Sequence, residues 1–391
     1  MLLWRGMSTS LRMVLGALTV GACSFAFACS MSSETASFDG RNDGTANPSP
    51  GEGSSGSLGA SDAGAPSDLV PTDNAVILVH AARVQPFRLC FGDQRDLQPQ
   101  PDTQAMPQAN VVGVEVGNAV RIKSLAPGAP GKVYLFEEPL IRSLYFNPDP
   151  GSGAPSCKKL IEAPTTAALA IDLGEVKDDL SKGVHLLVVK GCPRDAIIKY
   201  SAAECGAGWT PEKGNLAVEK VTLTGAYRND PKKLPTQVVN LSAALETARE
   251  GRQLTISFGK LATVGKLGTT VSENPGLFKT SSPVSVDFDP DNLATFDDSG
   301  FRVQVAAGNG KPAIEVDDSL AQIQKASAPR DIPSSYYSVA SNYVLLMLGD
   351  PNAKLEDGGP DTNPRNLLHF LAVPVVENTD GGAPDASPDA P

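Results

Sequence analysis

The chain has 391 residues, 33 of them basic and 44 acidic, for a net charge of −11 at pH 7. That excess excludes electrostatic binding of nucleic acid or of an anionic membrane face. Six cysteines without a CxxC pair, and three histidines, favour disulfides over a metal cluster.

The first predicted element is an export signal. Residues 13–29, MVLGALTVGACSFAFAC, form a short apolar run behind Arg5 and Arg12 and end in a cysteine preceded by small residues. This is the pattern of a bacterial lipoprotein signal over residues 1–28, with Cys29 acylated and Cys23 as the alternative. Cys29 opens the polar stretch CSMSSETAS, whereas acylation at Cys23 would leave Phe25 and Phe27 on the mature chain. Residues 29–72 are Ser, Gly, Ala, Pro and Asp with almost no large apolar side chains, so they read as a disordered tether. As a flexible coil it reaches about 35 Å. A GxGxxG inside it, Gly51 to Gly56, has neither strand before it nor helix after it and is composition alone. Ser30 in place of Asp directs the lipoprotein to the outer membrane by the usual sorting pattern. The expected location is therefore exported and lipid-anchored, on the periplasmic face or the cell surface.

The remainder reads as strands separated by Gly, Pro, Asn and Asp clusters: 75–82, 87–92, 111–116, 132–138, 167–173, 184–189 and 218–223. TQVVNLSAAL, QLTISFG, VSVDF, FRVQVAA, YVLLML and LHFLAVPV continue the style. Two short helices are predicted, at Ser242 to Arg252 and at Ser319 to Lys325. The halves repeat landmarks in order. Val79-His80-Ala81-Ala82 answers to Leu241-Ser242-Ala243-Ala244, and Leu89-Cys90-Phe91-Gly92 to Ile256-Ser257-Phe258-Gly259. The run His185 to Pro193 answers to Tyr343 to Pro351, and Asn215-Leu216 to Asn366-Leu367. The expected fold class is all-β: two tandem antiparallel β-sandwich, immunoglobulin-like domains at 73–228 and 229–376. Residues 377–391 form a disordered acidic tail. A pair of small barrels is the competing architecture.

A strand ending in VHAA, a strand closing in FG, and a long apolar strand ending in Gly349-Asp350-Pro351 resemble the bacterial "domain of unknown function 4397" family, repeated twice. The chain departs from that pattern in having Arg83-Val84-Gln85-Pro86 after the histidine, and Ser242 where the second copy would carry one. The resemblance implies an exported β-sandwich module without assigned catalysis, and it supplies no site residues.

Candidate sites are few. After acylation, Cys90, Cys157, Cys192 and Cys205 remain, an even number suited to an oxidising compartment. Cys192 with Cys205 would close an inserted loop and leave Cys90 for Cys157; other pairings and a four-thiol zinc site stay open. His80, His185 and His369 all lie in apolar runs and read as structural. Glu137-Glu138 at a strand end point to opposite faces and read as a solvated end. Asp287, Asp289, Asp291 and Asp298 fall at positions 1, 3, 5 and 12 of a calcium-loop pattern, with Asn292 at position 6; a solvated acidic turn is the plain alternative. No other cofactor is implied. No nucleophile elbow, HExxH or P-loop is present. The expected function is non-enzymatic: a lipid-anchored envelope protein displaying binding or adhesion modules to an unknown envelope or extracellular ligand. An envelope hydrolase or glycan-processing enzyme is the alternative.

Overall fold

The structure is a computed structural model. It describes residues 74–92, 105–107, 113–122, 129–145, 156–194, 200, 202–223, 230, 232–262, 268–287, 299–326, 342–354 and 359–375. The first half contains β1 (Asn74–Ala82), β2 (Phe87–Phe91), β3 (Ala119–Ile122), β4 (Gly131–Glu137), β5 (Ile171–Val176), β6 (Gly183–Gly191) and β7 (Ala217–Thr222). Four short helices interrupt it: α1 (Glu138–Tyr145), α2 (Cys157–Glu162), α3 (Pro164–Ala167) and α4 (Ala202–Cys205). The second half runs β8 (Lys233–Asn240), α5 (Ala243–Arg249), β9 (Leu254–Lys260), β10 (Thr269–Glu273), β11 (Val284–Asp287) and β12 (Ser299–Val305). It closes with β13 (Ile314–Ser319), α6 (Leu320–Ala326), β14 (Asn342–Leu348) and β15 (His369–Val375).

The strands make four sheets, ordered β3-β1-β6-β7, β2-β4-β5, β11-β8-β14-β15 and β10-β9-β12-β13. The two halves use the same order. β1 lies parallel to β6 and antiparallel to β3, and β8 lies parallel to β14 and antiparallel to β11. The sheets are thus mixed, and the parallel pairs explain the unbroken apolar runs. A strand covered on both faces needs no polar alternation.

Residue parity assigns those faces. In β1, Val76 and Leu78 join Phe87, Leu89, Phe91 and Leu135 in one core, while Ile77 and Val79 turn the other way. In β14, Tyr343, Leu345 and Met347 face Ile256, Phe301 and Val303, while Val344, Leu346 and Leu348 turn away. The two outward sets meet, with Leu186, Val188, Leu371 and Val373, in a third apolar layer shared by both halves. Four sheets therefore stack with three apolar layers between them.

Most predicted strands recur within a residue or two, and both predicted helices form. Ser242 caps α5, its Oγ accepting from the Leu245 amide at 3.0 Å. Ser319 and Gln322 exchange bonds at 2.8 and 3.1 Å at the start of α6, a capping box. Four expectations fail locally, the first being the strand TQVVNLSAAL, which ends at Asn240 because Ser242 caps α5. Of the strand expected over 111–116, residues 111–112 lie outside the described residues and Val114 makes only an isolated bridge to Phe87. The chain turns at Gly117, and pairing resumes in β3. The strand expected over 167–173 begins only at Ile171, because Pro164 opens the short helix α3. Pairing register also moves one landmark. His80 pairs with Val189, two residues before Gly191, and Asn240 pairs with Met347, two before Gly349. His80 therefore aligns with Asn240, and Ser242 with Ala82. A shift of two preserves which face each residue takes, so the copied pattern survives it.

Candidate functional site

A cleft lies where the edge of β13 meets the start of β15. It encloses about 550 Å³, lined by Val316, Asp317 and Asp318 of β13, Gln322 and Ala326 of α6, and Leu367 to Phe370. Gly117 and Asn118 of the first half complete one wall. The volume is that of an ordinary small-molecule cleft.

β13 and β15 belong to different sheets, so one side chain bridges them. Asp318 Oδ2 accepts the Phe370 amide at 2.7 Å. Withdrawal from water pushes this carboxyl above the usual carboxylate range, opposed in part by that amide and by nearby His369. The other acids of the lining are committed to arginines. Asp317 takes a two-point contact from Arg302 at 2.6 and 2.7 Å, and Asp350 lies 3.5 Å from Arg83.

Two further contacts tie the cleft wall across the halves: Arg365 meets Glu115 at 2.6 Å, and His369 Nε2 lies 3.2 Å from the Gly117 carbonyl. His369 Nδ1 faces the Leu367 carbonyl at 2.7 Å, so both ring nitrogens are directed at backbone oxygens. Gly117 has φ +65°, and a Cβ there would stand 2.6 Å from the Arg365 carbonyl, so no side chain is tolerated at this crossing.

The other histidines are structural. His185 is buried, with Nε2 at 2.6 Å from the Lys182 carbonyl and Nδ1 at 3.2 Å from Thr222 Oγ1. His80 is fully buried, stacks on Phe87 at 4.6 Å, and places Nε2 at 3.3 Å from the Gln85 carbonyl. Its Nδ1 has no hydrogen-bond partner among the described residues. Burial pushes the His80 pKa down to about 4. In the folded protein the ring stays neutral, while the unfolded chain takes the proton near pH 6.5. The stabilisation is complete above pH 6.5 and disappears as pH falls towards 4, at about 3 kcal/mol over that window. Urea titrations at pH 7.5 and 4.5 should show a wild-type loss that His80→Asn largely removes. Equal acid sensitivity in both proteins would refute the assignment.

The cysteines pair as Cys90–Cys157 and Cys192–Cys205. Cys90 and Cys157 sit among Phe136, Ile141 and Leu160, fixing α2 to the outer sheet of the first half. Of the acidic calcium pattern, Asp287 is exposed and pairs with Lys233; Asp289, Asp291 and Asp298 lie outside the described residues, as do Cys23 and Cys29. No group of three His, Cys, Asp or Glu side chains suited to a metal occurs among the described residues. No helix among them is long and apolar enough to cross a membrane.

The solvated reading of Glu138 is corrected. It is 3% exposed and meets Arg88, also 3% exposed, with Nε to Oε2 at 2.5 Å. The strand ends at Glu137 and α1 starts at Glu138, and that turn swings the carboxylate inward over β2.

Sequence reasoning missed Asp318. A signal was available: Ile314 and Val316 pack inward, and Asp318 shares their parity on the same strand. An acid at an inward position departs from the strand pattern. No protein-family model matches the chain, and no curated protein matches it.

Proposed function

We propose that this is an exported, lipid-anchored envelope protein that displays tandem β-sandwich modules of the immunoglobulin-like kind and acts by binding. The modules are residues 73–228 and 229–376, held on the tether 29–72 from Cys29 or Cys23, most fittingly at the outer membrane. The parallel central pair in each half is a local departure from the immunoglobulin arrangement, and the resemblance to the domain of unknown function 4397 family agrees with the proposal.

The observation that carries it is the pair of buried disulfides, whose chemistry belongs to an oxidising compartment and so agrees with the export signal. Binding is favoured over hydrolysis by the cleft's chemistry. Asp317 and Asp350 are held by arginines, and both His369 nitrogens face carbonyls, so among the described residues of the lining Asp318 stands without a second available acid or base. Glycoside hydrolysis needs two cooperating carboxyls.

Labelling of cells with palmitate, with protease treatment of intact and outer-membrane-disrupted cells alongside, tests the proposal. The wild type should take label and Cys29→Ser should not, with Cys23→Ser as the comparison. Release of the 73–376 fragment from intact cells places the modules outside, and release only after disruption places them in the periplasm. An unlabelled chain that stays in the cytoplasm with free thiols overturns the proposal.

A further inference from the structure

We propose that the cleft between β13 and β15 binds a small organic cation carried on an apolar frame, with its ammonium or guanidinium group against Asp318. This rests on the reading of the protein as a binding protein and names the ligand chemistry. The walls supply the frame's environment: Val316, Ala326, Pro351, Pro364 and Leu367 present apolar surface around about 550 Å³, enough for a compact ring or short chain.

The charge argument is one of elimination. Arg302 answers Asp317, Arg83 answers Asp350, and Glu115 answers Arg365. Asp318 alone takes no lysine or arginine among the described residues; Phe370 N–H occupies Oδ2, and Oδ1 accepts no hydrogen bond from them. An anionic ligand would meet this carboxylate. It would gain no N–H from His369, whose two nitrogens face the Leu367 and Gly117 carbonyls. A neutral ligand would strip water from Asp318 and leave its charge unanswered. A cation supplies the missing partner, and hydrogen bonds to a charged group inside a partly dry site are the stronger kind.

Calorimetric titration of the purified full-length protein tests this with matched probes. Tryptamine, 2-phenylethylamine and hexylamine are each compared with the alcohol of the same frame, and indole-3-propionate supplies the carboxylate. At least one amine should bind about tenfold or more tighter than its alcohol, and the carboxylate should not bind. Asp318→Asn, which keeps the acceptor for Phe370, should erase the preference and leave alcohol binding within about twofold. Asp172→Asn, exposed on β5, should change nothing. Ala326→Trp fills the cleft from α6 and should weaken amine and alcohol together, giving a second test if Asp318→Asn melts early.

Amines no tighter than alcohols, a preference that survives Asp318→Asn, or no binding by any probe at about 10 mM each overturn the proposal. These outcomes leave palmitate labelling and surface release untouched, so failure here is distinct from failure of the envelope-display reading.

Discussion

Arg88→Met should lower the unfolding free energy by about 3–5 kcal/mol, read as a fall in the urea midpoint at unchanged slope. The guanidinium is spent on several partners at once. Its Nε and Nη2 reach the two oxygens of Glu138 at 2.5 and 3.4 Å, and Nη1 donates to the Pro107 carbonyl. Removing it takes the two-point cationic partner from a carboxylate that is 3% exposed, and Arg142, 3.6 Å away and partly in solvent, is too hydrated to replace it. The penalty comes from the orphaned charge rather than from any large intrinsic value of the pair. The double variant Arg88→Met/Glu138→Leu should therefore recover most of the loss, because two packed apolar chains need no counter-charge. If the double variant is as unstable as the single one, the Pro107 contact or plain packing governs the site instead.

Cys90→Ser/Cys157→Ser should cost about 4 kcal/mol, and Cys192→Ser/Cys205→Ser about 3, both from the entropy of the loop each bridge closes. The bridges span sequence separations of 67 and 13 residues, which sets the order of the two effects. Urea denaturation of each double variant at neutral pH measures the difference. A smaller loss for the longer loop would mean that residual structure in the unfolded chain already holds β2 near α2. All four cysteines are at most 3% exposed, so dithiothreitol should leave the native bridges intact until denaturant opens the fold.

Much of the architecture was legible because its signals are local. Apolar, β-branched runs and turn clusters place β1, β2, β4 and β6, and the serines at 242 and 319 mark the helix starts they cap. The copied landmarks anticipate the matching sheet orders, although not the two-residue offset at His80. What stayed hidden depends on distant partners. Glu138 reads as a solvated acid until Arg88, fifty positions earlier, is placed beneath it. β3 is an edge strand of only four residues and β13 an acidic one, and the pairing of each is conferred by β1 and β12 rather than by its own composition. The cleft is harder still to read, since residues 117–118, 316–318 and 367–370 converge only once three of the sheets have stacked.

The middle apolar layer also constrains the order in which the protein can be made. As the chain emerges N-terminus first into the compartment where it folds, the first half is complete at β7, when Ile77, Val79, Leu186 and Val188 present a bare apolar face whose cover, in β8, β14 and β15, has yet to arrive. Until Leu371 and Val373 arrive near the end of the chain, that face is open to any other apolar surface in the cell. The emerging protein thus carries an interval of stickiness, as long as the second half takes to follow. A chaperone that shields flat β surfaces would be of most use during that interval.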